Sequence, residues 1–373
     1  MNKLHPLFIT ALLLLIGACG RSPKTEADAE HTDSVPMFTV DPFWPKPLPE
    51  NWLIGQVSGI AVDSADHIWV IHRPGSLGEN EGGPDWASQK PHYTPAPPVI
   101  EFDADGNLIQ AWGGSGDGYE WPEVEHGIFI DHANNVWIGG SGINDHQVLK
   151  FTPNGKFLLQ IGKAGKTGGS NDTTSLGRPT EFYVDPVTNE IYIADGYLNK
   201  RVIVFDAGTG KYKRHWGAYG KIPDDSIQDP FDPVKPPSPQ FGEVTHSVRI
   251  SHDNLVYVCD RSNNRIQVFQ KNGKFVFEEF IAKNTLGLGS AWDLDFSHDP
   301  QQRLVYLADG TNQCVWILKR DNLETTGYFG RMGRYAGEFI WIHNIAADSK
   351  GNIYTGEVLT GKRAQKFILT KEI

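Results

Sequence analysis

Six segments of this chain repeat one pattern: an apolar strand-like stretch, a turn holding Asp, Asn or Gly, and a second apolar stretch. They are VSGIAVDSADHIWVIHR (57–73), EHGIFIDHANNVWIGG (125–140), PTEFYVDPVTNEIYIADGY (179–197), THSVRISHDNLVYVCDR (245–261), AWDLDFSHDPQQRLVYLADG (291–310) and IHNIAADSKGNIYTGEV (342–358). The residues ending the first stretch are Asp63, Asp131, Asp185, Ser251, Ser297 and Asp348, spaced by 68, 54, 66, 46 and 51 positions. Units of this length hold about four short strands and build a radial array of antiparallel sheets. The sequence therefore predicts an all-β fold, a six-bladed β-propeller spanning residues 37–373. The 40 glycines and 24 prolines suit the many tight turns of such a ring and exclude a helical array.

The last unit ends after three strands, at RAQKFILT, so its fourth strand must come from elsewhere. Pro36–Asp41 is a lone strand-like stretch ahead of the first unit. Its pairing with the sixth blade would close the ring and remove an exposed sheet edge.

Ahead of that strand, Lys3 precedes an apolar run from Leu7 to Ile16, then Gly17-Ala18-Cys19. The run is too short to span a bilayer and has the form of a secretory signal. Ile16-Gly17-Ala18-Cys19 resembles the lipobox of bacterial lipoproteins, in which the cysteine is lipidated after cleavage. Residues 1–18 are thus read as a signal peptide and 19–36 as a lipidated flexible tether. An exported, membrane-anchored protein of the outer membrane is expected, with Gly20 in place of the Asp that marks inner-membrane retention. Only Cys259 and Cys314 remain, too few for a disulfide framework, and buried thiols are expected. With 34 Lys and Arg against 45 Asp and Glu, and no basic block, nucleic acid is excluded as a partner.

In a propeller the first residues of each innermost strand face the central channel. Five positions before each anchor stand Ser58, His126, Thr180, His246, Trp292 and His343. Histidine therefore occupies one register in alternate blades, which lie about 120° apart in a six-fold ring. Three imidazoles converging on one axis make a trigonal site with an open position, suited to zinc or a similar divalent transition ion. The turn after the second strand places Arg73, Tyr197 and Arg261 in or near one register, with Asp195 and Asp260 as turn acids. A tyrosine beside a metal is a candidate proton carrier, and arginine can grip a carboxylate by paired hydrogen bonds.

The repeats resemble the NHL family in their Asp-x-x-Asn-x-Arg turns. More specifically, GQVSGIAVD…IWVIHRPG, EHGIFID…NDHQVLKF, IYIADGYLNKRVIVF, QFGEVTHSVRIS…VCDRSNNRIQVF and IHNIAADSKGNIYTGEV resemble successive blades of the peptidyl-α-hydroxyglycine α-amidating lyase family, over roughly residues 55–368. The resemblance implies catalytic zinc on His126, His246 and His343, with Tyr197, Arg73 and Arg261 completing the site. It implies cleavage of an N,O-hemiaminal to an amide and glyoxylate, on a small or peptide-like substrate that carries a carboxylate. Leu198 and Val268 stand where that family has cysteines, so its disulfides do not form. Asn344 stands where it has an acid, which counts against its structural calcium. The insertion at 74–98 and the proline-rich 221–240 are expected to rim the channel and set the substrate.

Two other classes share the fold. A non-catalytic NHL-type binding propeller, tethered in the envelope and docking another envelope protein, predicts no stoichiometric metal. A hydrolase of the gluconolactonase type would gather acidic and Asn side chains, such as Glu181 and Asp293, around calcium. Calcium prefers oxygen ligands, and the histidine ring argues against it.

Overall fold

The computed structural model describes residues 35–78, 81 and 92–371. The signal peptide, Cys19 and the tether up to residue 34 lie outside the described residues, as do residues 79–80 and 82–91 of the insertion after Arg73. Six four-stranded antiparallel sheets follow one another along the chain. Their innermost strands are Gln56–Val62, Glu125–Ile130, Glu181–Asp185, Thr245–Ile250, Asp293–Phe296 and Ile342–Ala347. Each innermost strand touches the next in cyclic order, and the sixth touches the first. The fold is a closed six-bladed propeller.

The sixth blade takes its outer strand from the N-terminal side. Met37–Asp41 pairs antiparallel with Arg363–Lys371, Val40 lying opposite Phe367. Its Phe38 reaches past its own sheet to stack on Tyr306 and Phe329 of blade five. The ring is thus stapled by hydrogen bonds within one blade and by aromatic contact with another.

The core is not central. It is divided into six apolar clusters, each between two neighbouring blades. Strand geometry explains this, because successive side chains point to opposite faces and both faces of a blade are covered. In blade four, Val256 and Val258 pack toward blade three, while Tyr257 and Cys259 pack toward blade five. Such strands read as continuous apolar runs rather than alternating ones. Each buried Val or Phe stabilises the ring by about 1.5–3 kcal/mol. Cys259 and Cys314 are unpaired and buried, Cys259 within one of these clusters.

The repeated acids serve the turns. The Asp131 carboxylate accepts the backbone N–H groups of Ala133 and Asn135 and the indole N–H of Trp137. Asp195 and Asp260 play a second structural part at the other end of the blade. Asp195 binds the Gly177 N–H, the Asn199 amide and the Arg201 guanidinium at 2.9 Å, and Arg201 continues to the Ser170 and Ser175 carbonyls. Asp260 repeats this with Gly242, Asn263 and Arg265. The Asp…Asn…Arg turn therefore ties blades three and four to the connections that enter them.

Candidate metal and proton-transfer site

His126, His246 and His343 are fully or almost fully buried, and their nearest ring nitrogens lie within 4.8 Å of one another. Their ring centroids are 4.7–5.2 Å apart. The local cause is a β-bulge at the start of each strand. Pairing with the second strand shifts register between Glu125 and Ile128, between Thr245 and Ser247, and between Ile342 and Asn344. Each histidine falls in the irregular step, and a bulge re-aims the side chain it carries. Here the aim is the channel axis.

The orientation of the rings is also set by the repeat. His126 Nδ1 is 2.9 Å from the Thr180 carbonyl, and His246 Nδ1 is 2.7 Å from the Trp292 carbonyl. Thr180 and Trp292 hold the equivalent position in the next blade. His343 Nδ1 meets Asn344 Oδ1, near the backbone of Ser58, the equivalent residue of blade one. In each ring Nδ1–H donates to that oxygen, which holds the proton on Nδ1 and leaves the lone pair on Nε2. The Nε2 atom of His246 has no hydrogen-bond partner among the described residues although it is buried. An orphaned buried nitrogen facing two other imidazoles fits a metal ion with nitrogen ligands.

Burial holds all three histidines well below their ordinary pKa, His343 at about 3. The mutual repulsion of the rings and the nearby Arg73 and Arg261 add to this. The rings are neutral at physiological pH, which is the state that metal ligation requires.

The structure brings Tyr197, Arg73 and Arg261 to this ring. Tyr197 Oη is 3.1 Å from His126 Nε2. Its loop runs tight against blade four, since a Cβ on Gly196 would collide with the Thr245 backbone. Arg261 lies between two rings, 4.5 Å from the centroid of Trp292 and 5.8 Å from that of Tyr197, and its buried Nε has no hydrogen-bond partner. Arg73 donates from Nε to the Glu125 carbonyl and from Nη1 to Gln56 Oε1, both at 2.8 Å. Burial lowers its pKa, while Tyr197 and Glu125 act in the opposite direction. The site is therefore a neutral nitrogen ring with a phenol and positive charge on one side.

One member is not evident from sequence. Arg178 stacks its guanidinium 5.2 Å from the Tyr197 ring centroid and donates to the Ser141 carbonyl. It sits in the connection entering blade three, outside the repeat, and no spacing marks it. A cleft of about 370 Å³ opens beside Tyr197, lined by Leu198, Ile227, Pro230, Phe241 and Glu243 among others. The stretch 221–240 thus borders the site as expected. His67 is half-buried and bonds Glu101 at 2.8 Å; with Asp63 these groups close a turn of blade one.

The calcium expected of the resembling family does not fit. Asn344 stands where that family has an acid, and the nearby oxygen donors, Glu181 and Asp293, are those a gluconolactonase-type calcium site would recruit. The buried Arg249 guanidinium already stands 3.6 Å from each of those carboxylates. A divalent ion there would face a fixed positive charge.

Fold and ring together define the class, a six-bladed β-propeller carrying a three-histidine group in its channel. Residues 246–269 match the NHL repeat. The chain has homologues among amidating enzymes. It is 26% identical over 327 residues to peptidyl-glycine alpha-amidating monooxygenase of Mus musculus, covering 86% of this chain and 31% of that protein. It is 32% identical over 263 residues to peptidyl-alpha-hydroxyglycine alpha-amidating lyase 2 of Drosophila melanogaster, covering 65% and 57%. NHL repeat-containing protein 3 of Homo sapiens is 27% identical over 383 residues, covering 97% and 93%. The chain spans about a third of the length of the mouse relative.

Proposed function

We propose that this propeller is a metal-dependent lyase acting on an α-hydroxyglycine-type N,O-hemiaminal, releasing an amide and glyoxylate. The observation that carries the reading is the ring of His126, His246 and His343 with the Tyr197 hydroxyl 3.1 Å from one of its nitrogens. Homologues named as α-hydroxyglycine amidating lyases support it.

His126, His246 and His343 are the residues to hold a divalent transition ion, for which a nitrogen-only donor set favours zinc over calcium. Bound there, such an ion supplies Lewis acidity toward the substrate hydroxyl. In its phenolate form, Tyr197 takes the hydroxyl proton as the carbinol C–N bond breaks and the C=O bond of glyoxylate forms. The electron pair of the broken bond goes to nitrogen, and the proton carried by Tyr197 completes the amide, so protons balance. Arg73 and Arg261 hold the substrate carboxylate and the charge that develops beside it. The amide-bearing portion extends into the cleft beside Tyr197, so the substrate is a small or peptide-like molecule with a free carboxylate. In the cell we place the protein in the envelope, lipidated at Cys19.

The test pairs metal analysis of the purified chain, without residues 1–19, with glyoxylate release from simple α-hydroxyglycine compounds. Near-stoichiometric transition metal, lost in the His126→Ala/His246→Ala/His343→Ala variant together with glyoxylate release, is the expected result. A wild-type protein that takes up no metal and releases no glyoxylate would sink the reading in favour of a binding propeller.

A further inference from the structure

One to three residues along the inner strands from the histidine ring lies a buried cluster of Glu181, Arg249, Asp293 and Asn344. Asn344 Nδ2 donates to Glu181 Oε2 at 3.1 Å and to Asp293 Oδ2 at 3.3 Å, and its Oδ1 meets Nδ1 of His343. The direction of the amide follows from what surrounds it. Asp293 accepts the Ser247 hydroxyl at 2.6 Å and the Leu294 and Ile345 backbone N–H groups at 2.8 and 3.0 Å. Ringed by donors, Asp293 is an acceptor, so the Asn344 nitrogen faces it and the oxygen faces His343.

That orientation has a consequence for the ring. His126 and His246 are each aligned by a main-chain carbonyl of the neighbouring blade, which no side-chain change removes. His343 alone adds a side-chain acceptor, and that acceptor is itself held by carboxylates. The Asn344 oxygen draws the proton to Nδ1 and turns the Nε2 lone pair to the axis.

We infer that Asn344 is the positioning residue for His343, oriented by Glu181 and Asp293, and that Arg249 is the built-in cation of this cluster. Its guanidinium lies 3.6 Å from Glu181 Oε1 and 3.6 Å from Asp293 Oδ1, inside the channel. The arrangement couples the charge balance of the channel to the geometry of one ligand. Its bearing on metal binding rests on the function proposed above. The tautomer of His343 and the role of Arg249 do not.

Three measurements on the full propeller decide it. Titration of metal-free protein with zinc(II) against a chromophoric chelator is expected to show about 10–100-fold weaker binding in Asn344→Leu. Equal affinity in Asn344→Leu overturns the positioning role. In metal-free protein labelled with ¹⁵N-histidine, His343 is expected in the Nδ1–H form, shifting toward a mixture in Asn344→Leu; an Nε2–H form in wild type overturns it. A wild type with no zinc affinity but an Nδ1–H His343 sinks the metal reading and leaves the positioning intact. Finally, millimolar calcium leaves the melting temperature of the wild type unchanged and raises that of Arg249→Met. A calcium-dependent rise in the wild type overturns the assignment of Arg249, and that titration decides even where Arg249→Met fails to fold.

Discussion

The Tyr197 hydroxyl stands 3.1 Å from Nε2 of His126, at the end of a loop that carries no ligand itself. Two guanidinium groups, those of Arg178 and Arg261, face its ring at 5.2 and 5.8 Å from the centroid. The hydroxyl therefore shares the space where the three imidazoles converge, while the ring is fixed by stacking. Replacing Tyr197 by Phe removes the oxygen and keeps the stack. The expected outcome is a drop of roughly 10²–10⁴-fold in the rate of glyoxylate release, the usual contribution of a positioned proton carrier. Metal content stays unchanged. Steady-state rates alongside metal analysis read this directly, and equal rates would remove Tyr197 from the chemistry.

The turn motif makes a prediction that is independent of function. Arg201 is wholly buried, with Nε 2.9 Å from Asp195, which is equally buried. Removing one member of such a pair leaves an uncompensated buried charge and costs about 3–5 kcal/mol. Arg201→Met is therefore expected to lower stability by that order in urea denaturation. A loss below about 1 kcal/mol would show that the turn acids are dispensable. The surface pair Lys235–Asp232, with 64% of the lysine side chain exposed, serves as the control that changes little.

The contrast between these two sites shows what the sequence makes legible. The histidine register recurs at one offset in alternate blades and the Asp…Asn…Arg turn, one residue longer in blade three, in blades three and four, so the repeat alone exposes them. Tyr197, Arg73 and Arg261 follow because they stand at or just past the end of the second strand of their blades. What stays hidden arises between repeats. The bulges at His126, His246 and His343 depend on pairing register with a second strand, and single-strand periodicity carries no trace of them. Arg178 reaches Tyr197 from an irregular connection. Arg249 sits in an ordinary strand pattern, THSVRIS, and becomes a channel cation only once Glu181 and Asp293 arrive from the two flanking blades.

Ring closure by the N-terminal strand is testable on the same chain. Phe38 contributes an aromatic contact to blade five, at 4.8 Å from Phe329 and 5.5 Å from Tyr306, while the backbone of Met37–Asp41 completes blade six. Deleting residues 36–41 exposes the edge of Arg363–Lys371 and uncovers Phe367 and Phe329. A sharply lower melting temperature and a tendency to associate through the open edge are expected. Phe38→Ala separates the two effects, costing up to about 3 kcal/mol with the edge still paired. An unchanged melt for the deletion would mean that the blade contacts alone hold the ring.

The channel cluster also gives the protein a pH signature with a defined sign. Burial pushes the Glu181 carboxyl up to about 8 against an ordinary 4.5, Arg249 opposing this and Asp293 adding to it. A carboxyl raised in the folded state binds its proton more tightly there than in the unfolded chain. Its contribution to stability is full below pH 4.5 and is lost as pH rises toward 8, by at most about 1.4 kcal/mol per pH unit. Histidines held low by burial act in the other direction. His72, lowered to about 4, contributes stability that is full above its unfolded value of 6.5 and lost as pH falls from there. Above 6.5 it is largely neutral in both states, so a falling limb between 6.5 and 8 comes from carboxyls raised by burial, Glu181 foremost and Glu125, Asp295, Asp309 and Glu357 beside it. Urea midpoints measured across that window are expected to decline in the wild type and to flatten in Glu181→Gln, whose amide keeps an acceptor toward Asn344. A decline of the same slope in the variant would assign it to another group.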